Sequence, residues 1–172
     1  IYNDDNELCG PNETGELYAR RKTSPQFTYQ NKDQARREID RDGFITNGDI
    51  GMLDEEGYLF IMDRKRDMII SGGVNIYPAE IEAVLLQHPH IADAAVFGIP
   101  DDEFGEAICA YVQPHNAVLD ESELRAWIEE RCGRFKTPKT IRFSEQLPRE
   151  ETGKIFKRKL REPFWEGREK KI

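Results

Sequence analysis

Asp63-Arg-Lys-Arg-Asp-Met-Ile-Ile-Ser-Gly-Gly-Val-Asn-Ile-Tyr-Pro-Ala-Glu-Ile-Glu82 decides how the rest of the chain is read. Asp63 to Asp67 are consecutive charges, too polar for a core segment. Met68, Ile69 and Ile70 then predict a short buried strand. Ser71-Gly72-Gly73 lets the backbone bend and approach another group, because glycine tolerates positive φ and has no Cβ to clash. Pro78 suits the first turn of a helix, and Glu80 and Glu82 lie near its positive end. A charged crossing followed by strand, glycine turn and helix start predicts a joint between two structured halves.

With 172 residues the chain can form one domain or two small ones and bury a core. Charged residues make up 34% and aromatics 10%, the composition of a soluble globular chain and not of a disordered one. No apolar run approaches the ~20 residues of a membrane span, and no signal-peptide pattern occurs. Cys9, Cys109 and Cys132 are odd in number and lack metal-type spacing, so they read as free thiols in a reducing, cytoplasmic setting. His88, His90 and His115 lie in proline-flanked loops and read as solvated surface, and no metal site is expected. From Gly133 to Ile172 the chain carries a net charge of +7, and the remainder −15. An acidic body with a basic end suits a polyanionic ligand held locally. Nucleic acid fits poorly, because basic and aromatic residues do not interleave in a binding motif.

Upstream of the joint, Gly15–Arg20 alternates as a strand and Gln34–Ile39 reads as helical. Ile50–Asp54 and Tyr58–Met62 flank a Glu-Glu-Gly turn and predict a β-hairpin. Asp49 follows Gly48 where the first strand begins. A carboxylate there can accept hydrogen bonds from two vicinal hydroxyls, though Asn-Gly-Asp also serves as a plain turn. Downstream, Pro78–His88 is an amphipathic helix with Ile81, Val84 and Leu85 on one face. Ile91–Gly98 and Glu106–Gln113 read as strands joined by a loop, Ile99–Gly105. Asp120, with Glu123 as its capping-box partner, starts a helix to about Cys132. Thr140–Phe143 returns as a strand. Helix-strand-strand-helix-strand is an open α+β layer. Arg134-Phe-Lys-Thr-Pro-Lys139 sets an aromatic among bases, able to stack an adenine and bind phosphates or to stand as a bland basic loop. Leu147–Lys159 is a proline-to-glycine loop presenting Lys154. It is not a Walker loop, because Pro148 stands at the first glycine position and Ile155 follows the lysine.

The stretch from Asp63 to Glu82 resembles the hinge region of adenylate-forming enzymes, above all acyl-CoA synthetases acting on fatty or aromatic acids. Gly15-Glu-Leu17, Asn47-Gly-Asp49 and Pro148 to Lys154 resemble three further motifs of that family, with Asn47 standing where threonine is usual. Phe27-Thr-Tyr-Gln-Asn31 departs from the family's glycine-tyrosine turn. The fold class implied is α+β: a β-rich, distorted-barrel subdomain over 1–63, then a small mobile α+β cap over 64–172. The resemblance implies an ATP-dependent, AMP-forming acid–CoA ligase, in which a carboxylate and ATP give an acyl-adenylate and a thiol then takes the acyl group. It assigns catalysis to Lys154, nucleotide contacts to Asp49 and Arg64, and the hinge to Arg66, where the family more often has Asp or Lys. It assigns coenzyme A contacts to Gly72, Gly73, Phe135, Lys136 and Lys139, with Thr137 where some relatives have arginine. ATP or AMP and coenzyme A are the implied ligands, with Mg2+ accompanying ATP and bound by an N-terminal region absent from this chain. The phosphate-binding loop and acyl pocket belong to that region, so the chain is expected to be an inactive C-terminal fragment whose partners are that region, a carboxylic acid, ATP and CoA. A carrier-protein thiol as acceptor, a luciferase-like oxidation of the adenylate, and a non-catalytic CoA-binding module remain alternatives.

Overall fold

In the first third of the chain the alternating residues fold around one long strand. The structure, a computed structural model, describes residues 1–20, 33–115 and 119–168. β1 (Gly15–Ala19), α1 (Asp33–Glu38), β2 (Asp40–Arg41), β3 (Phe44–Leu53) and β4 (Leu59–Arg64) follow in order. β3 pairs antiparallel with β1, β2 and β4 and is therefore the spine of a four-stranded sheet. The expected hairpin is present. Asp54 Oδ1 accepts from the backbone N–H groups of Glu56 and Tyr58 at 3.0 and 2.8 Å, and Gly57 takes a φ of 85° in the turn. The register slips between Ile50 and Gly51, where a Cβ on Gly51 would lie 2.4 Å from the Phe60 carbonyl oxygen, so this bulge requires glycine. Among the described residues the sheet stays open, and the expected barrel does not close. The turn expected at Phe27–Asn31 lies outside the described residues.

The chain divides into two compact units, Ile1–Arg66 and Asp67–Ile172, and a 3-10 turn at Lys65–Asp67 carries it from one to the other. In the second unit β5 (Ile69–Ser71) and β6 (Val74–Ile76) form a hairpin about Gly72 and Gly73, whose φ values of 57° and 81° are those of the tightest two-residue turns. The sequence indicates only the first of these strands. There follow α2 (Pro78–Leu86), β7 (Ile91–Asp101), β8 (Gly105–Pro114), α3 (Glu121–Cys132), β9 (Thr140–Phe143) and α4 (Lys157–Trp165). β8 is central, pairing antiparallel with β7 and β5 and parallel with β9. Ile81 and Leu85 of α2 and Leu124 and Ile128 of α3 pack with Ile69, Val96, Ile108, Ala110 and Val112 on one face of this sheet. Asp120 Oδ1 accepts from Ser122 N and Glu123 N at 2.8 and 3.1 Å, which satisfies two otherwise orphaned donors of α3.

The structure corrects three expectations in this unit. β7 continues through 99–101, expected as loop, because its backbone stays paired as far as Asp101↔Gly105. α4 stands where the sequence predicts loop as far as Lys159 and no element beyond it. Its few apolar residues sit among charges, and it is held by tertiary contacts: Phe164 lies 6.2 Å from the Phe97 ring and Trp165 Nε1 donates to Gly98 O at 3.1 Å. Phe97 points away from Val96 by strand alternation, so α4 lies over the face opposite α2 and α3. Finally, His88 is not simply solvated. It packs edge-on against Trp127 at 4.8 Å, and burial lowers its pKa.

Candidate functional site

The expected site residues fall into three groups, one in the first unit and two in the second. In the first, the β3–β4 register sets Asp49 opposite Arg64, with Arg64 Nε 3.5 Å from Asp49 Oδ1. Gly48, with φ at 74°, bends the chain just before Asp49. Thr46 Oγ1 accepts from Gly48 N at 2.9 Å and donates to Glu16 Oε1 at 2.9 Å. Lys65 Nζ donates to Glu16 Oε2 at 2.7 Å, and that bond, first among several effects, raises the Lys65 pKa. Glu16 thus ties the turn before Asp49 to the residue that precedes Arg66. Sequence reasoning missed Glu16, Thr46 and Lys65, whose partners are 30 and 49 residues apart and leave no local pattern.

In the second unit Phe135, Lys139 and the neighbours of Gly72 line a groove of about 760 Å³. Its walls include Ser71, Phe104, Arg134, Phe135 and Lys139. Phe135 is 54% exposed on a short 3-10 turn and lies on the groove beside Phe104, which is 46% exposed. Gly72 N donates to Phe104 O at 2.9 Å, and a Cβ on Gly72 would approach the Phe104 ring to 3.1 Å, so the hairpin tip lies close against that wall. Lys136 is placed elsewhere: both Glu80 carboxylate oxygens accept from its Nζ at 2.7 Å, which directs it toward α2. Arg125 of α3, not anticipated, donates to the carbonyls of Pro138 and Lys139 and so secures the loop that carries the basic residues. Read from sequence, Arg125 is only a surface partner of Glu121 four residues away.

Lys139 Nζ donates to Asp101 Oδ2 at 2.6 Å, and Glu103 N and Phe104 N both donate to Asp101 Oδ1. These bonds, led by the one from Lys139, lower the Asp101 pKa from 3.8 to about 2. A depressed acid contributes stability that is fully present above its unfolded pKa and lost as pH falls through its folded pKa. Unfolding free energy is therefore expected to fall between about pH 4 and pH 2 in part through Asp101. Asp101→Asn is expected to flatten that part of a denaturant-unfolding pH profile, and an unchanged slope would remove Asp101 from the account.

The third group is the Lys154 turn. Arg149 bridges to Ile155, Glu150 N donates to Lys154 O at 2.8 Å, and Phe156 N donates to Pro148 O at 2.7 Å. Gly153 takes a φ of 84°, which closes the turn. Arg149 pairs with Asp93 and donates to Gly153 O at 2.8 Å, fixing the turn to the start of β7. The Lys154 side chain projects exposed from it, with no ion pair among the described residues. The Lys139 groove is anchored at Asp101, the other end of the same strand. From Asp93 to Asp101 the strand contour is about 25 Å at roughly 3.3 Å per residue. Lys154 and the groove therefore occupy opposite ends of the β7–β8 ladder. Arg66 ends the first unit inside the 3-10 turn. No group of three or more His, Cys, Asp or Glu able to hold a metal ion occurs among the described residues.

Residues 80–154 match the family model described as AMP-binding enzyme C-terminal domain. The 2-succinylbenzoate–CoA ligase of Bacillus cereus (strain ATCC 14579) is 44% identical over 153 residues, which is 89% of this chain and 29% of that enzyme. The long-chain-fatty-acid–CoA ligase FadD13 of Mycobacterium tuberculosis is 44% identical over 136 residues, or 79% of this chain and 27% of that enzyme. Among solved structures, the o-succinylbenzoate CoA synthetase MenE of Bacillus subtilis, in complex with an acyl-adenylate intermediate, superposes with a TM-score of 0.83 at 37% identity, covering 92% of this chain and 32% of that one. The same enzyme has been solved with ATP and a magnesium ion. The chain spans less than a third of the length of the curated relatives it matches.

Proposed function

From the match of residues 80–154 to the model of AMP-binding enzyme C-terminal domains we propose that this chain is the C-terminal portion of an AMP-forming acid–CoA ligase. In the first step a carboxylate oxygen attacks the α-phosphorus of ATP, and pyrophosphate leaves. In the second a thiolate attacks the acyl carbon of the adenylate, the acyl–phosphate bond breaks, and AMP leaves. Lys154 serves the first step, since an exposed ammonium on a fixed turn can stabilise charge developing between carboxylate and α-phosphate. Asp49 accepts from the ribose hydroxyls, and Arg64, opposite it on β4, contacts the bound nucleotide. The groove serves the second step: Phe135 stacks the adenine of coenzyme A, Lys139 pairs with its phosphate, and the bare hairpin at Gly72 and Gly73 lets the pantetheine arm pass. Lys136, held by Glu80, acts on this loop through α2.

The observation that carries this reading is the separation of Lys154 from the groove along β7. In this reading the unit presents its two ends to the reaction centre in turn by rotating about Arg66. On the same reading Mg2+ accompanies ATP, and its ligands and the pocket that selects the acid are supplied by a further region of the enzyme. The active protein is accordingly the chain together with that region, and the isolated chain is expected to show no turnover in a sensitive adenylation assay.

A chimera tests the reading, with residues 67–172 replacing the equivalent unit of the Bacillus cereus ligase. ATP–pyrophosphate exchange reports the first step, and thioester formation from preformed adenylate reports the second. Phe135→Ala combined with Lys139→Ala is expected to slow the second step at least tenfold and leave exchange unchanged. Equal loss in both steps, or in neither, rejects the division of labour between the two ends.

A further inference from the structure

Among the described residues Glu106 is the one acidic or basic residue that is fully buried, at 4% exposed. Side chains alternate along a strand, so Glu106 shares its face of β8 with Ile108, Ala110 and Val112, the aliphatic face that α2 and α3 cover. A carboxyl group in such a place is costly unless it gains a partner. Glu106 Oε2 reaches across to β5 and accepts from Ile70 N at 3.3 Å. β5 and β8 pair through Ser71↔Gly105 alone, and on the turn side of that pair Gly72 N donates to Phe104 O at 2.9 Å. The next antiparallel position on the other side sets Ile70 opposite Glu106. There the Glu106 side chain supplies the acceptor that a continuing ladder would take from the backbone. Gly98, on the neighbouring strand β7, makes room for it: a Cβ at that position would lie 2.3 Å from Glu106 Oε2 and 3.0 Å from its carboxyl carbon. A glycine within a strand weakens it and marks a place where another group comes close.

We propose that Glu106 is a positioning residue for the thioester-forming step: it holds β5 against β8, so that the tip at Gly72 and Gly73 stays beside Phe104 at the groove. This rests on the reading of that groove as the coenzyme A site. Ser71 ends β5 and Phe104 precedes β8, and both line the groove, so the relation of these two strands sets its width at that wall. Glu106 does not itself line the groove, and its effect passes through the hairpin. Ile69 and Ile76 root the base of the hairpin in the core, each with no exposed surface. Without the bond to Ile70 the hairpin can tilt about that base and carry its tip across the path of the pantetheine arm. Packing alone does not account for the carboxyl group, because an apolar side chain of similar volume in a buried site stabilises a fold as well or better.

Two measurements on the same variants test the inference: amide exchange in the whole chain, and the two half-reactions in the chimera that carries residues 67–172. Glu106→Leu removes the acceptor and keeps the bulk, so the fold is expected to survive it. The Ile70 and Gly72 amides are expected to exchange about tenfold faster in that variant, with those of α2 and α3 unchanged. In the chimera, kcat/KM for coenzyme A in thioester formation is expected to fall about tenfold or more, with ATP–pyrophosphate exchange within about twofold of the parent. Glu106→Gln keeps an acceptor oxygen and is expected to recover most of both losses. Gly98→Ala leaves Glu106 in place but pushes its carboxyl group aside, and is expected to repeat the effects of Glu106→Leu. Unchanged exchange at Ile70 and Gly72 in Glu106→Leu overturns the inference. So does equal loss in both half-reactions, or in neither, or a Glu106→Gln variant no better than Glu106→Leu, since each of these makes Glu106 a residue of the core and nothing more. A parent chimera with no activity in either step rejects the ligase reading, while the exchange rates still decide whether Glu106 holds the hairpin.

Discussion

Lys154→Ala in the chimera is expected to slow ATP–pyrophosphate exchange by about 10²–10³-fold, the usual cost of removing one preorganised charge-stabilising group. Thioester formation from preformed adenylate should change little, because the turn that carries Lys154 stands at the far end of β7 from the groove. The turn is built to hold a cation outward. The Pro148 carbonyl, Arg149 and the Gly153 bend close it with backbone bonds, and Arg149 fastens it to Asp93. None of those contacts uses the lysine side chain, so alanine there should leave folding intact. Lys154→Arg keeps the charge but changes its shape and is expected to recover only part of the exchange rate. Exchange within threefold of the parent in Lys154→Ala would assign the first step to another cation. Equal loss in both half-reactions would indicate damage to the unit as a whole.

The largest effect on stability is expected from Phe97→Ala. Phe97 is almost fully buried in β7, stacked at 5.6 Å on Tyr111 and facing Phe164 of α4. Truncating such a ring costs about 3–5 kcal/mol through lost transfer energy and the cavity left behind. For a domain of this size that is a fall of roughly 12 °C or more in melting temperature. α4 should loosen first, because Phe97 supplies much of its apolar footing, and amide exchange in Lys157–Trp165 would report it. Phe97→Leu, nearer in volume, should cost under about 2 kcal/mol. A loss below about 1 kcal/mol for Phe97→Ala would mean that the contact of Trp165 with Gly98 suffices to hold the helix.

Much of the second unit was legible because its signals are local. Pro78 opens α2, Asp120 caps α3, Gly72 and Gly73 mark the bend after β5, and apolar runs mark β7 and β8. The Lys154 loop was legible because proline and glycine bracket it. α4 was not, since its apolar residues are outnumbered by charges and only contact with Phe97 and Gly98 gives them a place to be buried. β6 was not, because three residues between a glycine turn and a proline are too few to carry a period. The extent of β7 was missed because Pro100 reads as loop, though a proline is tolerated on an edge strand.

Residue identity alone determined the α+β class of the second unit and the types of group offered: a carboxylate after a glycine, an aromatic among bases, a lysine on a tight turn. Each follows from backbone torsion, capping or charge within a few residues. Only the tertiary structure decided which of these meet. It set Arg64 opposite Asp49, drew Lys136 away to Glu80 while leaving Lys139 on the groove with Asp101, and put Lys154 at the other end of the sheet. These placements depend on strand register and on ion pairs between residues far apart in sequence, and no local pattern encodes the partner of a charge 38 or 56 residues away.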